Sequence, residues 1–559
     1  MLFLRHLPTN LIIATVAAVL FIPFLGQVHL FDWDEINFAE SSREMLLTGN
    51  YFKVSVNFQP FWEKPPLFFW MQSLSMSVFG VNEFAARFPN AIIGIVTLLV
   101  LFNIGTKEYD QRFGIYWVMT YVGSFLPHFY FKSGIIDPYF NLFIFLGIYQ
   151  LSKITSLHHT KTYPRKRFAF YAGIFIGLAI LTKGPVAFLI AFLCVVMYFI
   201  IRKSLKAIKF QELIIFTFTA FVVSCLWFGW ETIQGGPWFL KEFLIYQIRL
   251  FSTQDAGHGG PFFYHFVVLL LGVFPASVYV FKSFRKLYSD NPRQKDLKLW
   301  MIISLLVVLI LFSIVKTKIV HYSSFCYFPI SFLAAYALFK VETHKLFFTN
   351  SFNILFAIIG VLIALVLLAF PLLLKFKDYL PVEKLLSDDP FAYANLQADV
   401  YWSGWESLIG LFYLLVIIVC IRINNRDFVK GAIVVFFSTM ITISLTMLLI
   451  VPKIEKYSQA AAIEFFESMK GKDVYVEPMY YKTYAHYFYT ERPKDYPVHK
   501  ANDHGWLLSG EIDRPAYFVT KVGRENDMMN NPGMEKLYEK NGFIFFRRMP
   551  VSTSDQAGD

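Results

Sequence analysis

Charged residues are scarce in this chain. Of its 559 residues only 16% are Asp, Glu, Lys or Arg, whereas 56% are hydrophobic and 64 are phenylalanine. A soluble fold of this length needs far more charge on its surface. The composition therefore argues against a soluble enzyme and indicates a protein that crosses a membrane many times.

Cysteine is nearly absent, and so is a signal-peptide cleavage pattern. The four cysteines lie in hydrophobic stretches and the last of them is Cys420, which argues against disulfides or a cysteine metal site in the polar C-terminal part. The first apolar run lacks a small-x-small motif before FDWDE (31–35). We therefore expect that run to be retained as the first membrane helix.

Long apolar runs, by contrast, are frequent. A helix must cover roughly 30 Å of hydrocarbon to cross a bilayer. Thirteen runs of suitable length occur, at about 10–30, 88–106, 113–131, 135–151, 168–183, 186–201, 212–231, 263–281, 299–315, 323–339, 351–374, 404–421 and 431–451. The predicted fold class is an all-α polytopic membrane protein with about thirteen transmembrane helices.

The positions of Lys and Arg predict the orientation, because short cytoplasmic loops retain positive charge. With the N-terminus inside, the inner loops are 161–167, 202–209, 282–298 and 422–430, which are the most basic short stretches of the chain. The net charge of +11 is then explained by topology and by anionic inner-leaflet lipid. We expect membrane lipids as partners and no nucleic acid.

The C-terminal part has a different composition. Thirteen crossings from an inside start leave it outside, and residues 453–559 are polar. The short β-rich pieces DVYVEP, AYFVTK and FIFFRR are separated by Gly, Pro and Asn. The sequence thus predicts a membrane domain at 1–452 and a small α/β domain on the outer side of the membrane at 453–559.

Two predicted outer connections, about 31–87 and 232–262, are too long to be simple turns. LFFWMQSLSMSVF (67–79) is too short to span, so we expect an amphipathic helix at the membrane surface. Ser41-x-x-Glu44 resembles a capping box and suggests another short helix before it. The second loop carries GGPWFLKEFLIYQIRLF (235–251), which is aromatic and amphipathic as well.

Ionisable residues collect at the predicted outer ends of the spans, where charge is expensive and usually functional. They are Asp34, Glu35, Glu63, Lys64, Asp137, Lys183, Asp255, His258, Lys316, Lys318 and His321, followed by Tyr322. Each alone is readily explained as a solvated helix end or an anchoring side chain. Together they suit a lipid-linked anionic substrate, whose tail stays in the membrane while its phosphate meets lysines at the surface.

The stretch FWEKPPL (61–67) holds one of these lysines in a stiff turn. Pro65 and Pro66 fix the local backbone direction and remove two N–H donors. The turn can therefore aim the Lys64 ammonium as a point charge at a phosphate oxygen. Such a contact becomes more valuable as negative charge develops on a departing phosphate.

Seven motifs of the chain resemble those of a known family. In chain order they are DWDEINFAESSREMLLTGNYF (32–52), FWEKPPLFFW (61–70), FGVNEFAARFP (79–89), GIIDPYF (134–140), LTKGPVA (181–187), DAGHGGPFFY (255–264) and KTKIVHY (316–322). This order is similar to that of the GT-C glycosyltransferases of the protein mannosyltransferase and aminoarabinose transferase superfamily. The bacterial lipid A 4-amino-4-deoxy-L-arabinose transferases are the most similar.

The resemblance implies a role for each motif residue. Asp34 matches the essential carboxylate, and Lys64 matches the lysine that holds the lipid phosphate; Lys183 and Lys318 are expected beside that phosphate. Glu63 and His258 match a pair that can bind a structural divalent metal such as zinc. The residues expected to line the cavity are Glu35, Asp137, His321 and Tyr322.

The implied activity is a single inverting displacement at the bacterial inner membrane. A polyprenyl (undecaprenyl) phosphate sugar is the donor, and a lipid A-like glycolipid, another glycan or a protein is the acceptor. No cofactor is expected to be required, and no general acid is needed because the leaving phosphate is already an anion. Asp34 would act as base toward a hydroxyl acceptor, or as a stabiliser of positive charge when a phosphate is the acceptor.

Two departures and two rival functions stand beside this interpretation. Asn37 and Phe61 replace an arginine and a tyrosine of the aminoarabinose enzymes, which leaves the sugar and the acceptor open. A transporter or flippase of lipid-linked sugars would show inverted repeats and charge at the midplane, whereas the charge here lies at one face. A non-catalytic lipid-binding homologue would not need Asp34 and Lys64.

Overall fold

The computed structural model describes residues 7–156, 164–253, 259–284, 290–343 and 350–550. Each of the thirteen predicted spans overlaps a helix or a pair of helices joined by a short break. The helices of the membrane part are α1 (Leu7–Phe21), α2 (Asp34–Thr48), α3 (Leu67–Phe79), α4 (Glu83–Glu108), α5 (Gln111–Val122), α6 (Phe125–Phe129), α7 (Asp137–Ser156), α8 (Arg165–Lys183), α9 (Val186–Arg202), α10 (Phe210–Gly235), α11 (Trp238–Ser252), α12 (Tyr264–Gly272), α13 (Ala276–Ser283), α14 (Pro292–Ile314), α15 (Tyr327–Glu342), α16 (Asn350–Lys375), α17 (Val382–Leu385), α18 (Pro390–Leu396), α19 (Leu408–Asn424) and α20 (Phe428–Leu449).

Apolar length decides which helices can cross a membrane alone. Among the described residues seven helices are long and apolar enough, and α12 with α13 gives an eighth if this pair, bent by 107°, counts as one span. Helices α1 and α9 are apolar but shorter. The polytopic fold is thus confirmed, whereas the total of thirteen crossings stays a prediction.

The first predicted outer loop contains two helices and a small hairpin. Helix α3 covers the predicted stretch 67–79, which confirms a helix there. Helix α2 begins at Asp34 and ends at Thr48, and it is followed by Gly49, whose φ of +70° suits glycine. The capping-box prediction is wrong because Ser41 and Glu44 lie inside α2.

Glu44 instead holds the hairpin formed by β1 (Ser55–Val56) and β2 (Gln59–Pro60). Its carboxylate accepts hydrogen bonds from the Ser55 hydroxyl at 2.5 Å and from the Phe58 backbone N–H at 3.0 Å. This side chain therefore ties the hairpin to α2.

The C-terminal part is a small α/β unit, as predicted. Its elements are α21 (Val451–Lys456), α22 (Ala460–Ser468), β3 (Tyr475–Pro478), α23 (Ala485–Tyr489), α24 (Val498–Ala501), α25 (His504–Ser509), β4 (Ala516–Lys521), α26 (Glu525–Met529), β5 (Met534–Lys540) and β6 (Phe543–Arg548). The strand order is β3-β4-β6-β5, with β3 parallel to β4 and the other pairs antiparallel. Three of these strands lie in the three predicted β-rich pieces.

This unit packs on α2 and the loop before it. Leu30 and Ile36 share one apolar cluster with Ile463 and Phe545. The Arg43 guanidinium donates to the backbone carbonyl of Arg492 at 2.9 Å. The helix that begins with Asp34 is consequently held between the membrane helices and the C-terminal unit.

Candidate functional site

Helix ends position the charged residues of the site. Asp34 is the first residue of α2, and Asp137 is the first residue of α7, with Pro138 next to it. Lys183 is the last residue of α8, and Gly184 at φ +110° ends the helix there. Carboxylates at helix N-termini and an ammonium at a helix C-terminus are each stabilised by the helix dipole.

These ends meet in one cluster of alternating charge. The Lys183 ammonium donates to an Asp137 oxygen at 2.6 Å. The His321 Nε2 atom lies 3.9 Å from the other Asp137 oxygen and 3.3 Å from Asp34 Oδ2. The imidazole thus contacts Asp34 and lies near Asp137, whose Oδ2 has no hydrogen-bond partner among the described residues. Tyr322 also belongs to the cluster, because the centre of its ring lies 5.1 Å from the Lys183 ammonium.

The cluster keeps Asp34 ionised. Burial by itself would raise its pKa, but the hydrogen bond from His321 and the positive charges of His321, Lys64 and Lys183 outweigh this effect and lower the pKa to about 2. The Asp34 side chain is 36% exposed, so solvent or a ligand can reach the carboxylate. One turn along α2 lies Asn37, whose buried Oδ1 has no hydrogen-bond partner among the residues described.

Lys64 approaches the cluster from the turn before α3. Its ammonium lies 3.4 Å from the Tyr246 hydroxyl and 5.0 Å above the Tyr246 ring. Arg249 lies on the same ring at 5.2 Å. Tyr246 and Arg249 belong to α11, so the two long loops meet at Lys64. Neither α11 residue was predicted as part of the site.

Glu35 is not a cavity residue in this structure. Its carboxylate forms an ion pair with Arg87 at 2.7 Å and accepts the Phe31 backbone N–H at 2.9 Å. Arg87 also donates to the carbonyls of Val28 and His29 at 2.6 and 2.9 Å. Because both side chains are buried, Glu35 serves to fix the backbone that presents Asp34.

Lys318 also differs from its prediction, which placed its ammonium beside the donor phosphate. Its ammonium donates to the carbonyls of Phe312, Ser313 and Val315, at distances between 2.5 and 2.9 Å. These carbonyls are at the C-terminal end of α14, where an ammonium is well placed. An ammonium has three donors and all three are in use, so the structure does not support phosphate binding by Lys318.

The predicted metal pair is only partly described. His258 lies outside the described residues, so its pairing with Glu63 stays a prediction. Glu63 is half-buried, and together with burial its charge raises the pKa of Tyr484. Glu63 therefore lies beside the C-terminal unit.

That unit supplies side chains to the edge of the site, which the sequence reasoning missed. The Tyr484 ring packs edge-to-face on Trp33 at 5.5 Å, and the Lys482 ammonium lies 4.9 Å from the same indole ring. The Tyr484 backbone N–H donates to Asp32 at 3.4 Å. The aromatic run YYKTYAHYFYT (480–490) was the one feature of the sequence that could have indicated this contribution.

Known proteins resemble this chain in sequence and in structure. Residues 63–230 match the family described as dolichyl-phosphate-mannose-protein mannosyltransferase. The crystal structure of ArnT from Cupriavidus metallidurans bound to undecaprenyl phosphate superposes with a TM-score of 0.74 at 17% identity, covering 96% of this chain and 97% of that one. The chain has the GT-C fold.

Within the GT-C fold, its similarity to sugar transferases covers part of the sequence. The undecaprenyl phosphate-alpha-4-amino-4-deoxy-L-arabinose arabinosyl transferase of Photorhabdus laumondii is 27% identical over 374 residues, which are 65% of each chain. That of Aeromonas hydrophila is 27% identical over 404 residues, covering 70% of this chain and 69% of the relative. The superfamily resemblance and the multi-pass membrane architecture are thereby confirmed.

Proposed function

We propose that this protein is a membrane glycosyltransferase. It moves a sugar from a polyprenyl phosphate donor to an acceptor of the cell envelope, with inversion at the anomeric carbon. The observation that carries the proposal is the ionised Asp34 carboxylate, partly exposed and flanked by His321, with Lys64 and Lys183 close enough to lower its pKa. A carboxylate and ammonium groups in one place match the two charges that develop when a glycosyl phosphate bond breaks.

The reaction follows from the chemistry of that bond. The acceptor oxygen forms a bond to the anomeric carbon as the bond from that carbon to the phosphate oxygen breaks. The phosphate leaves with the electron pair, and Lys64 offsets its growing negative charge. A hydroxyl acceptor passes its proton to the departing phosphate, whereas an ionised phosphate acceptor has no proton to lose. Asp34 lies where it can stabilise the positive charge of the oxocarbenium-like sugar, and His321 contacts it at 3.3 Å.

The relatives suggest the substrates. Their names specify undecaprenyl phosphate and an aminoarabinose sugar, and one structural neighbour holds undecaprenyl phosphate. We propose undecaprenyl phosphate as the lipid carrier and a lipid A-like glycolipid as the first acceptor to test. Asn37 and Phe61, the two expected departures from those enzymes, leave a different sugar open for this chain.

Mass spectrometry of envelope glycolipids and glycoproteins tests the function. Cells that produce the protein should carry one sugar modification that is missing from cells without it. Cells that produce Asp34→Asn at the same level are the control, and they should resemble the cells without the protein. Identical profiles from all three strains would contradict a transferase.

We further propose that the site faces the periplasm from the bacterial inner membrane. The basic loops at 202–209 and 422–430 then face the cytoplasm, and the C-terminal unit lies outside. Alkaline phosphatase, which is active only outside the cytoplasm, should be active when fused after Asp559 and inactive when fused after Lys206. The reverse pattern would contradict both the topology and the location of the site.

A further inference from the structure

A second cluster of potential ligands lies outside the proposed site. His29, Glu83 and Glu467 each offer one ligand atom, and these atoms all lie within 4.8 Å of one another. The three residues come from the segment before α2, from the first turn of α4 and from α22 of the C-terminal unit. They therefore join parts of the chain that are far apart in sequence.

The imidazole of His29 is oriented by a fourth residue. Its Nδ1 atom lies 2.9 Å from Oε1 of Glu455, a side chain only 6% exposed. Its Nε2 atom faces Oε1 of Glu467 at 3.9 Å, which is too long for a hydrogen bond. A carboxylate on one ring nitrogen commonly fixes the tautomer so that the other nitrogen can bind a metal ion.

The charge around this imidazole is also unbalanced. Three carboxylates, those of Glu83, Glu455 and Glu467, act on His29. Two basic side chains, Lys470 and Arg87, act on Glu467 and Glu83 through their charge, but their ion pairs are with Glu491 and Glu35 and neither forms an ion pair within the cluster. A bound cation would offset this excess of negative charge.

We propose that His29 Nε2, Glu83 and Glu467 bind one divalent metal ion, with zinc as the best match. One imidazole nitrogen and two carboxylate oxygens, with water in the fourth position, form a familiar zinc environment. Tetrahedral zinc holds its ligand atoms roughly 3.3–3.6 Å apart, so the side chains must close by about 1 Å. This site is distinct from the pair Glu63 and His258 and does not depend on the proposed function.

The ion would fasten the C-terminal unit to the segment that presents Asp34. His29 is five residues before Asp34, and its carbonyl accepts a hydrogen bond from Arg87 at 2.9 Å. Arg87 in turn pairs with Glu35, the neighbour of Asp34. Zinc at His29 would thus stabilise the same backbone that the Arg87 and Glu35 pair fixes.

Zinc binding to the full-length protein in detergent tests this proposal. After chelator treatment, titration with zinc chloride should show one site that depends on His29 and Glu467 and a higher unfolding temperature when it is filled. His29→Ala and Glu467→Gln should each weaken that site by at least about 100-fold, because loss of an orienting partner alone costs 10–100-fold. Glu455→Gln, which removes only the orienting carboxylate, should weaken it by about 10–100-fold.

Glu464→Gln is the matched control, because Glu464 is on the same helix but pairs with Lys540 at 2.5 Å. It should bind zinc as the unmodified protein does. Glu467 is exposed, so its variant should fold even if His29→Ala does not. Unchanged zinc affinity in Glu467→Gln, or zinc binding that requires only His258, would overturn the proposal.

Discussion

Replacing Asp34 with asparagine should lower the rate of sugar transfer by about 100-fold or more, because one preorganised electrostatic group commonly contributes 10²–10³ to turnover. The change keeps the size and shape of the side chain and removes its charge. Affinity for the donor should stay nearly unchanged, since the donor phosphate is held by lysine. Turnover with a polyprenyl phosphate sugar and a separate donor-binding assay would measure the two effects.

The pKa of Asp34 bears on what this carboxylate does. A general base works best when its pKa lies near the working pH, whereas the pKa of Asp34 is lowered to about 2. Such a weak base is better suited to stabilising positive charge on the sugar than to removing a proton. The lowered pKa therefore favours the stabilising role among the two that the sequence left open.

The pH dependence of transfer should reflect this. Because the folded pKa is lowered from 3.8 to about 2, Asp34 stays ionised at neutral and mildly acidic pH and loses its charge only as the pH falls through about 2. His321→Gln removes the imidazole and its charge, so that Lys64 and Lys183 oppose the effect of burial with less help and the pKa of Asp34 should rise. The acidic limb of the pH–rate profile should move to higher pH in that variant.

Two results would contradict this account of Asp34. Full turnover in Asp34→Asn would remove its catalytic role. An acidic limb that is the same in the unmodified protein and in His321→Gln would show that Asp34 does not depend on the imidazole. Equal unfolding temperatures of the two proteins would confirm that the comparison concerns the charge and not the fold.

The secondary structure was largely predictable because it depends on local patterns. The apolar run 67–79 is bounded by Pro65-Pro66 and Gly80, and the helix occupies that stretch. The three β-rich pieces became strands for a similar reason. The capping box failed because α2 already begins at Asp34, so that Ser41 lies two turns inside it.

The sequence predicted which charged residues collect near the site, but it did not predict which partner each of them contacts. Asp34 and Glu35 are adjacent in sequence, yet one carboxylate is partly exposed and the other is buried against Arg87, 52 residues away. Lys183 and Lys318 likewise look alike in the sequence. The structure shows that the Lys318 ammonium instead binds carbonyls at the end of α14, only three to six residues before it in the chain.

Lys64→Ala should weaken both donor binding and turnover. A hydrogen bond to a charged group contributes about 1.5–3 kcal/mol, so the dissociation constant for the donor should rise by about tenfold to 150-fold. Turnover should fall as well, because the same ammonium offsets the charge that grows on the departing phosphate. This pattern differs from that of Asp34→Asn, in which turnover falls and binding is kept.

Lys53→Ala is the matched control for this prediction. Lys53 is in the same outer loop and carries the same charge, but its side chain is exposed and it precedes no proline pair. Lys64, by contrast, is held by Pro65-Pro66 and by the Tyr246 hydroxyl, so its ammonium loses little freedom when a phosphate binds. Lys53→Ala should therefore change the dissociation constant by less than about twofold, as is usual for an exposed charge. If the two variants bind and turn over the donor alike, general positive charge and not the fixed position of Lys64 recognises the phosphate, and its role as assigned is wrong.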